Sequence, residues 1–237
     1  MQDGIHEMIP YEKRTKGAQR YWDYQNGKPG APFYQKEFGY YSLERWHEEG
    51  LAEDANLDEV FGFDPPGRVD LHGLGWCEAG FDPWFEEKLL EDRGEYELVQ
   101  DMCGRAVLCF KGRKSGFMPE YLDHPVKDMK TWEEKCHWRM DPNSPGRKKA
   151  MAEYMPKVVE QAKQGLFVGQ NLVGGYMYLR SLIGPTELLY MFYDDPDLIH
   201  ACMQAWLELA DSVIAEHQKF VTLDEIFIGE DICYNMG

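Results

Sequence analysis

The residues best placed to do chemistry lie near the end of the 237-residue chain. The run Ile226-Phe227-Ile228-Gly229-Glu230-Asp231-Ile232-Cys233-Tyr234 places two carboxylates and a phenol just after three apolar residues. An apolar run of that length reads as a short buried strand. In α/β folds with parallel strands, functional groups gather at the carboxyl ends of those strands. Glu230 and Asp231 are therefore the candidate catalytic pair, and Tyr234 is a candidate substrate contact. The competing reading is that Glu230 or Asp231 caps the following helix.

The elements that must position this run show patterns of their own. Tyr11 to Tyr24 reads as a helix closed by Asn26-Gly27-Lys28-Pro29-Gly30. Ala31 to Gly39 reads as a strand with Pro32 at its entrance. Ser42 is placed to cap a short helix that carries Leu43, Trp46 and Leu51. Between residues 68 and 126, Phe85, Glu87 and Leu89 alternate before Glu91-Asp92-Arg93-Gly94, and Tyr96 and Leu98 alternate after it. That pattern predicts a glycine-turn hairpin, and Ala106 to Phe110 extends it to an antiparallel meander.

From Asp128 the pattern changes to helices alternating with short apolar runs. Pro145 to Lys163 is amphipathic, and Leu166-Phe167-Val168 is a short buried strand. Helices over Tyr176 to Ile183 and Thr186 to Tyr193 are divided by Gly184-Pro185. The clearest helix opens at Asp195-Pro196-Asp197, with a cap, a first-turn proline and an acid at the positive end of the dipole. Its apolar face, Leu198, Ile199, Cys202, Met203, Trp206, Leu207, Ala210, Val213 and Ile214, holds a 3.6-residue period. Helices alternating with apolar strands argue for an α/β fold with a parallel sheet.

Composition excludes several functions. The formal charge of −17 repels phosphate backbones and argues against nucleic-acid binding. No apolar run spans a bilayer, and the N-terminus has no basic region followed by an apolar run, so a cytoplasmic protein is expected. Six cysteines without a C-x-x-C pair read as reduced, mostly buried thiols. No pair of Cys or His has metal-ligand spacing. Cys233, beside the acidic strand end, is a weak candidate ligand, and His124, His137 and His200 read as surface or capping residues.

Several of these segments together resemble the uroporphyrinogen decarboxylase family, which includes corrinoid-dependent methyltransferases. The run from Gly184-Pro185-Thr186-Glu187 through Asp195-Pro196-Asp197-Leu198-Ile199-His200 looks like that family's helix–loop–helix. Asp224 to Tyr234 looks like one of its barrel strands, and Ser42 to Leu51 like the segment after its first strand. His124-Pro125-Val126 and Trp132-Glu133 also fit, so the resemblance covers most of residues 11–237. It implies a single barrel domain over 1–237, a partial (β/α)8 TIM barrel with an antiparallel β insertion near residues 68–126. Family members run roughly a hundred residues longer, so the resemblance implies a C-terminally truncated barrel.

The resemblance also implies an activity. Family decarboxylases grip substrate carboxylates with arginines on the first strand. Aligned on Gly39, those positions hold Lys36 and Tyr40 with Glu37 between them, and lysine does not replace a bidentate arginine. A corrinoid-dependent methyltransferase-type enzyme is therefore expected first. Uroporphyrinogen decarboxylation is the alternative, and a non-catalytic remnant or split-barrel subunit the third reading. On the resemblance, Lys36, Glu37, Tyr40, Tyr176 and Tyr234 contact the substrate, and Tyr34 joins the aromatics of the pocket mouth. The methyltransferase branch implies zinc and a corrinoid protein partner, with metal ligands beyond residue 237; decarboxylation implies no cofactor. The partner is a small molecule or a corrinoid protein, and an open barrel would be closed by a homodimer or a completing subunit.

Overall fold

The computed structural model describes residues 4–35, 38, 41–112 and 119–232. In chain order the elements are α1 (Lys16–Gln25), α2 (Ser42–Glu48), α3 (Leu57–Phe61), β1 (Arg68–Leu71), β2 (Lys88–Asp92), β3 (Tyr96–Gln100), β4 (Ala106–Phe110) and β5 (Glu120–Asp123). They continue with α4 (Met129–Thr131), α5 (Pro145–Lys163), β6 (Phe167–Val173), α6 (Gly175–Ile183), α7 (Pro185–Asp194), α8 (Pro196–Gln218) and β7 (Glu225–Gly229).

The strands form two separate sheets. One is parallel and three-stranded, in the order β1-β6-β7, and the other is antiparallel and four-stranded, in the order β2-β3-β4-β5. This corrects the barrel expected from sequence, because the described residues form no TIM barrel, partial or closed. The four antiparallel strands pair only among themselves, and the three parallel strands lie side by side with β1 and β7 at open edges. The antiparallel region is also narrower than predicted. β1 begins at Arg68 but belongs to the parallel sheet, so the second sheet runs only from Lys88 to Asp123.

Local chemistry explains most of the elements. Asp195 accepts from the Leu198 amide at 3.2 Å and starts α8. Asp128 and Thr131 form a reciprocal capping box at α4. At the β2–β3 hairpin Gly94 takes φ +81°, a left-handed conformation that a side chain resists. Two predicted elements differ. Residues 31–35 are not a strand; Pro32 removes a donor there, and the Tyr34 amide donates to the Asp64 side chain instead of to a neighbouring strand. β7 forms where predicted, but Ile226, Phe227 and Ile228 are half exposed because β7 is a sheet edge.

The largest core cluster is built on Trp132, Tyr178, Leu182, Ile183, Leu188, Leu198, Cys202 and Leu209, which locks α6, α7 and α8 together. A second cluster packs Met155, Val158 and Ala162 of α5 on Leu71 of β1 and Val168 of β6. The other sheet face carries charge. Arg68 reaches Asp70 and Glu225, and donates to Tyr21 Oη at 3.0 Å and to Asn171 Oδ1 at 3.2 Å. Gly169 sits between Asp70 and Glu225 in register, and a Cβ there would crowd the Arg68 guanidinium. The missing side chain lets that cation lie across the middle strand. No helix among the described residues is long and apolar enough to cross a membrane.

Candidate functional site

The carboxyl ends of β1, β6 and β7 meet at one rim. β6 runs into Gly174 and then α6, and the Gly174 amide donates to the Gly229 carbonyl at 2.6 Å. Across this junction the Glu230 carboxylate accepts from the Tyr176 and Met177 amides, each at 3.0 Å. These are second- and third-residue amides of α6, which the helix itself cannot satisfy. Gly174 offers no side-chain cap to α6, and a Cβ on it would overlap the Glu230 carboxylate. Glu230 is thus a cap, but for a helix some fifty residues earlier rather than for the one after it. With both oxygens so engaged, it serves the rim as a fixed negative charge. Replacing Glu230 with alanine should lower the unfolding free energy by about 1 kcal/mol, read as a shifted urea midpoint at constant slope.

Asp231 is the freer of the two acids. Its side chain is 58 % exposed and pairs with Arg180 of α6 at 3.0 Å. The connection after β1 completes the rim: Trp76 stacks on Phe227 of β7, with centroids 5.0 Å apart and planes at 12°. Cys77 follows it, half-buried and free. Burial first, then the Glu78 and Asp231 carboxylates, push the Cys77 thiol above its ordinary range, while Arg180 and Arg105 pull it back. The thiol therefore stays protonated at neutral pH and is a poor nucleophile or metal ligand. On the α8 side Trp206 donates its indole N–H to the Val173 carbonyl at 2.9 Å and fixes the end of β6.

Of the residues proposed from sequence, Glu230, Asp231 and Tyr176 come together at this rim. Tyr176 takes part through its main-chain amide, and its partly buried ring packs on the large core cluster. Lys36, Glu37, Tyr40, Cys233 and Tyr234 lie outside the described residues. Tyr34 is exposed and lies beside Asp64. His137 bonds Glu133 at 2.9 Å on the surface. Sequence reading missed Arg180, Trp76 and Cys77. Arg180 carries no local signal, because its partner is far along the chain. The other two could have been flagged by the glycine-rich stretch Gly73-Leu74-Gly75-Trp76-Cys77 following a strand.

Among the described residues no three His, Cys, Asp or Glu side chains converge as a metal site. The described rim residues supply no zinc ligands, which the family resemblance places beyond residue 237, and no step below passes through a metal. No protein family, curated protein or solved structure matches the chain.

Proposed function

We propose that this chain is an enzyme of the uroporphyrinogen decarboxylase type, from the methyltransferase side of that family, working at the rim of its parallel sheet. One observation carries the reading. Arg180 of α6 meets the neighbouring acids Glu230 and Asp231, which follow β7, beside the carboxyl ends of adjacent parallel strands, the place where such sheets collect their chemistry. A carboxylate held by a guanidinium can accept a hydrogen bond from a polar substrate while the cation balances charge that builds up during reaction. Trp76 and Phe227 offer a flat apolar surface beside it, suited to a planar ligand or to the face of a corrinoid-carrying protein. The five described cysteines lie outside any disulfide, in keeping with a cytosolic setting.

Arg180 also favours a second reading, decarboxylation of a carboxylated small molecule, because a guanidinium at the rim can take a substrate carboxylate in bidentate fashion. One pair of assays separates the two. Methyl transfer predicts that the protein consumes methylcobalamin in the presence of 2-mercaptoethanol; decarboxylation predicts carbon dioxide from uroporphyrinogen. In whichever assay is positive, Asp231→Asn should lower turnover about tenfold or more. Turnover unchanged in Asp231→Asn would remove the rim from the mechanism, and inactivity in both assays would reject both readings.

A further inference from the structure

A cavity of about 750 Å³ opens between α5, α8 and the connection that follows β1, on the helical side of the parallel sheet. It shares Trp76 with the rim but contains none of the acids placed there. Its wall carries Tyr154 of α5 and His217 of α8. The Tyr154 hydroxyl bonds His217 Nε2, and His217 Nδ1 lies 2.7 Å from Gln170 Oε1 on β6. The Gln170 amide nitrogen donates to the Leu71 carbonyl at 3.2 Å and the Asn171 carbonyl at 2.7 Å. Those two bonds turn the Gln170 oxygen toward the imidazole.

Proton positions follow from this chain of bonds. The Gln170 oxygen only accepts, so His217 carries its proton on Nδ1, which leaves Nε2 as an acceptor. The Tyr154 hydroxyl must then donate inward, and what remains free on the phenol is oxygen lone-pair capacity. Gln170 and His217 are fully buried, so their desolvation is offset only because every link is made. Burial holds the His217 pKa down at about 4 and the Tyr154 pKa up at about 12, so both groups stay neutral at pH 7.

The rest of the wall suits an uncharged, flat ligand. Trp76 and Trp84 line the cavity and are 51 % and 42 % exposed, an unusual amount of open indole surface. Of the charged groups that line it, Glu78, Asp82, Glu216 and Arg147 are engaged within the protein, Glu78 with Arg105, and Lys148 is exposed. Asp82 accepts from the Ser144 hydroxyl and the Arg147 amide, Glu216 pairs with Lys219, and the Arg147 guanidinium donates to main-chain carbonyls.

We propose that this cavity binds an uncharged aromatic molecule bearing an O–H or N–H group, which donates to the Tyr154 oxygen while its ring lies against the tryptophans. The test is calorimetric titration of the full chain with three probes of one shape: p-cresol, its methyl ether 4-methylanisole, and p-toluate. p-Cresol should bind saturably, and the ether, which lacks only the donor, should bind about five- to tenfold more weakly, the worth of one neutral hydrogen bond. Tyr154→Phe should erase that preference while keeping the ring. Ala150→Trp, on an exposed lining position of α5, should block p-cresol without touching the bonded chain. Tightest binding by p-toluate would make this an anion site and overturn the proposal. Equal affinity for p-cresol and its ether in the unmutated protein, or no saturable binding by any probe, would also overturn it.

Discussion

Replacing Arg147 with alanine should destabilise the fold by about 3 kcal/mol, the range expected when a partly buried charged donor set is removed and its acceptors are left behind. The guanidinium is a clamp. It donates to the carbonyl of Gly73 at 3.0 Å, to Gly80, to Arg139 at 2.9 Å, and through Nε to Asp141 at 3.1 Å. Two loops, the one after β1 and the one before α5, are held by a single planar fork. Burial pulls the Arg147 pKa below its ordinary value, with Asp82 and Asp141 opposing, yet the group stays charged at neutral pH. Arg147→Lys should recover less than half of the loss, since one ammonium cannot reproduce a planar fork that reaches four acceptors. Urea unfolding monitored by circular dichroism measures both values. A loss under about 1 kcal/mol for Arg147→Ala would show that water replaces the clamp easily.

Lowering the pH from 7.5 to 5.0 should remove on the order of 2 kcal/mol of stability through His217 alone. Burial holds its folded-state pKa at about 4, with Glu216 opposing and His72 adding slightly, against 6.5 for a free imidazole. Between those values the unfolded chain takes up a proton that the folded chain refuses. Stability is therefore complete above the unfolded pKa and falls as the pH drops toward the folded one. The geometry requires the same sign: a second proton on Nε2 would break the hydrogen bond from Tyr154 and place an unpaired charge in the core. Denaturation at the two pH values, with His217→Gln as the control, isolates the effect. The variant starts less stable but should show a slope smaller by about that amount. Equal slopes in the two proteins would mean that His217 is protonated, or exposed, in the native state.

These residues show what kind of information a sequence holds. Local signals were legible. The Asp195-Pro196-Asp197 start of α8 and the turn at Gly94 each depend on chemistry within a few residues, and each forms where the pattern places it. Partners distant in the chain were not legible. Glu230 reads as a strand-end acid free for chemistry, yet it caps α6; Asp231 finds Arg180 across the same gap. Tyr154 reads as part of an amphipathic apolar face, and nothing near it announces the imidazole on α8 and the amide on β6 that fix its proton.

The fold follows the same division. From sequence alone came most of the helices, the antiparallel hairpin and the alternation of helices with parallel strands, because hydrophobic period and capping chemistry act over one or two turns. Only the tertiary structure decided how strands associate: β1, β6 and β7 form an open three-stranded sheet rather than part of a barrel, and β2 to β5 make a sheet of their own. It also left Ile226, Phe227 and Ile228 at an open edge instead of in a core. Strand pairing is settled by long-range backbone hydrogen bonds and by which faces find cover, and an apolar run looks the same in sequence whether its neighbour lies on both sides or on one.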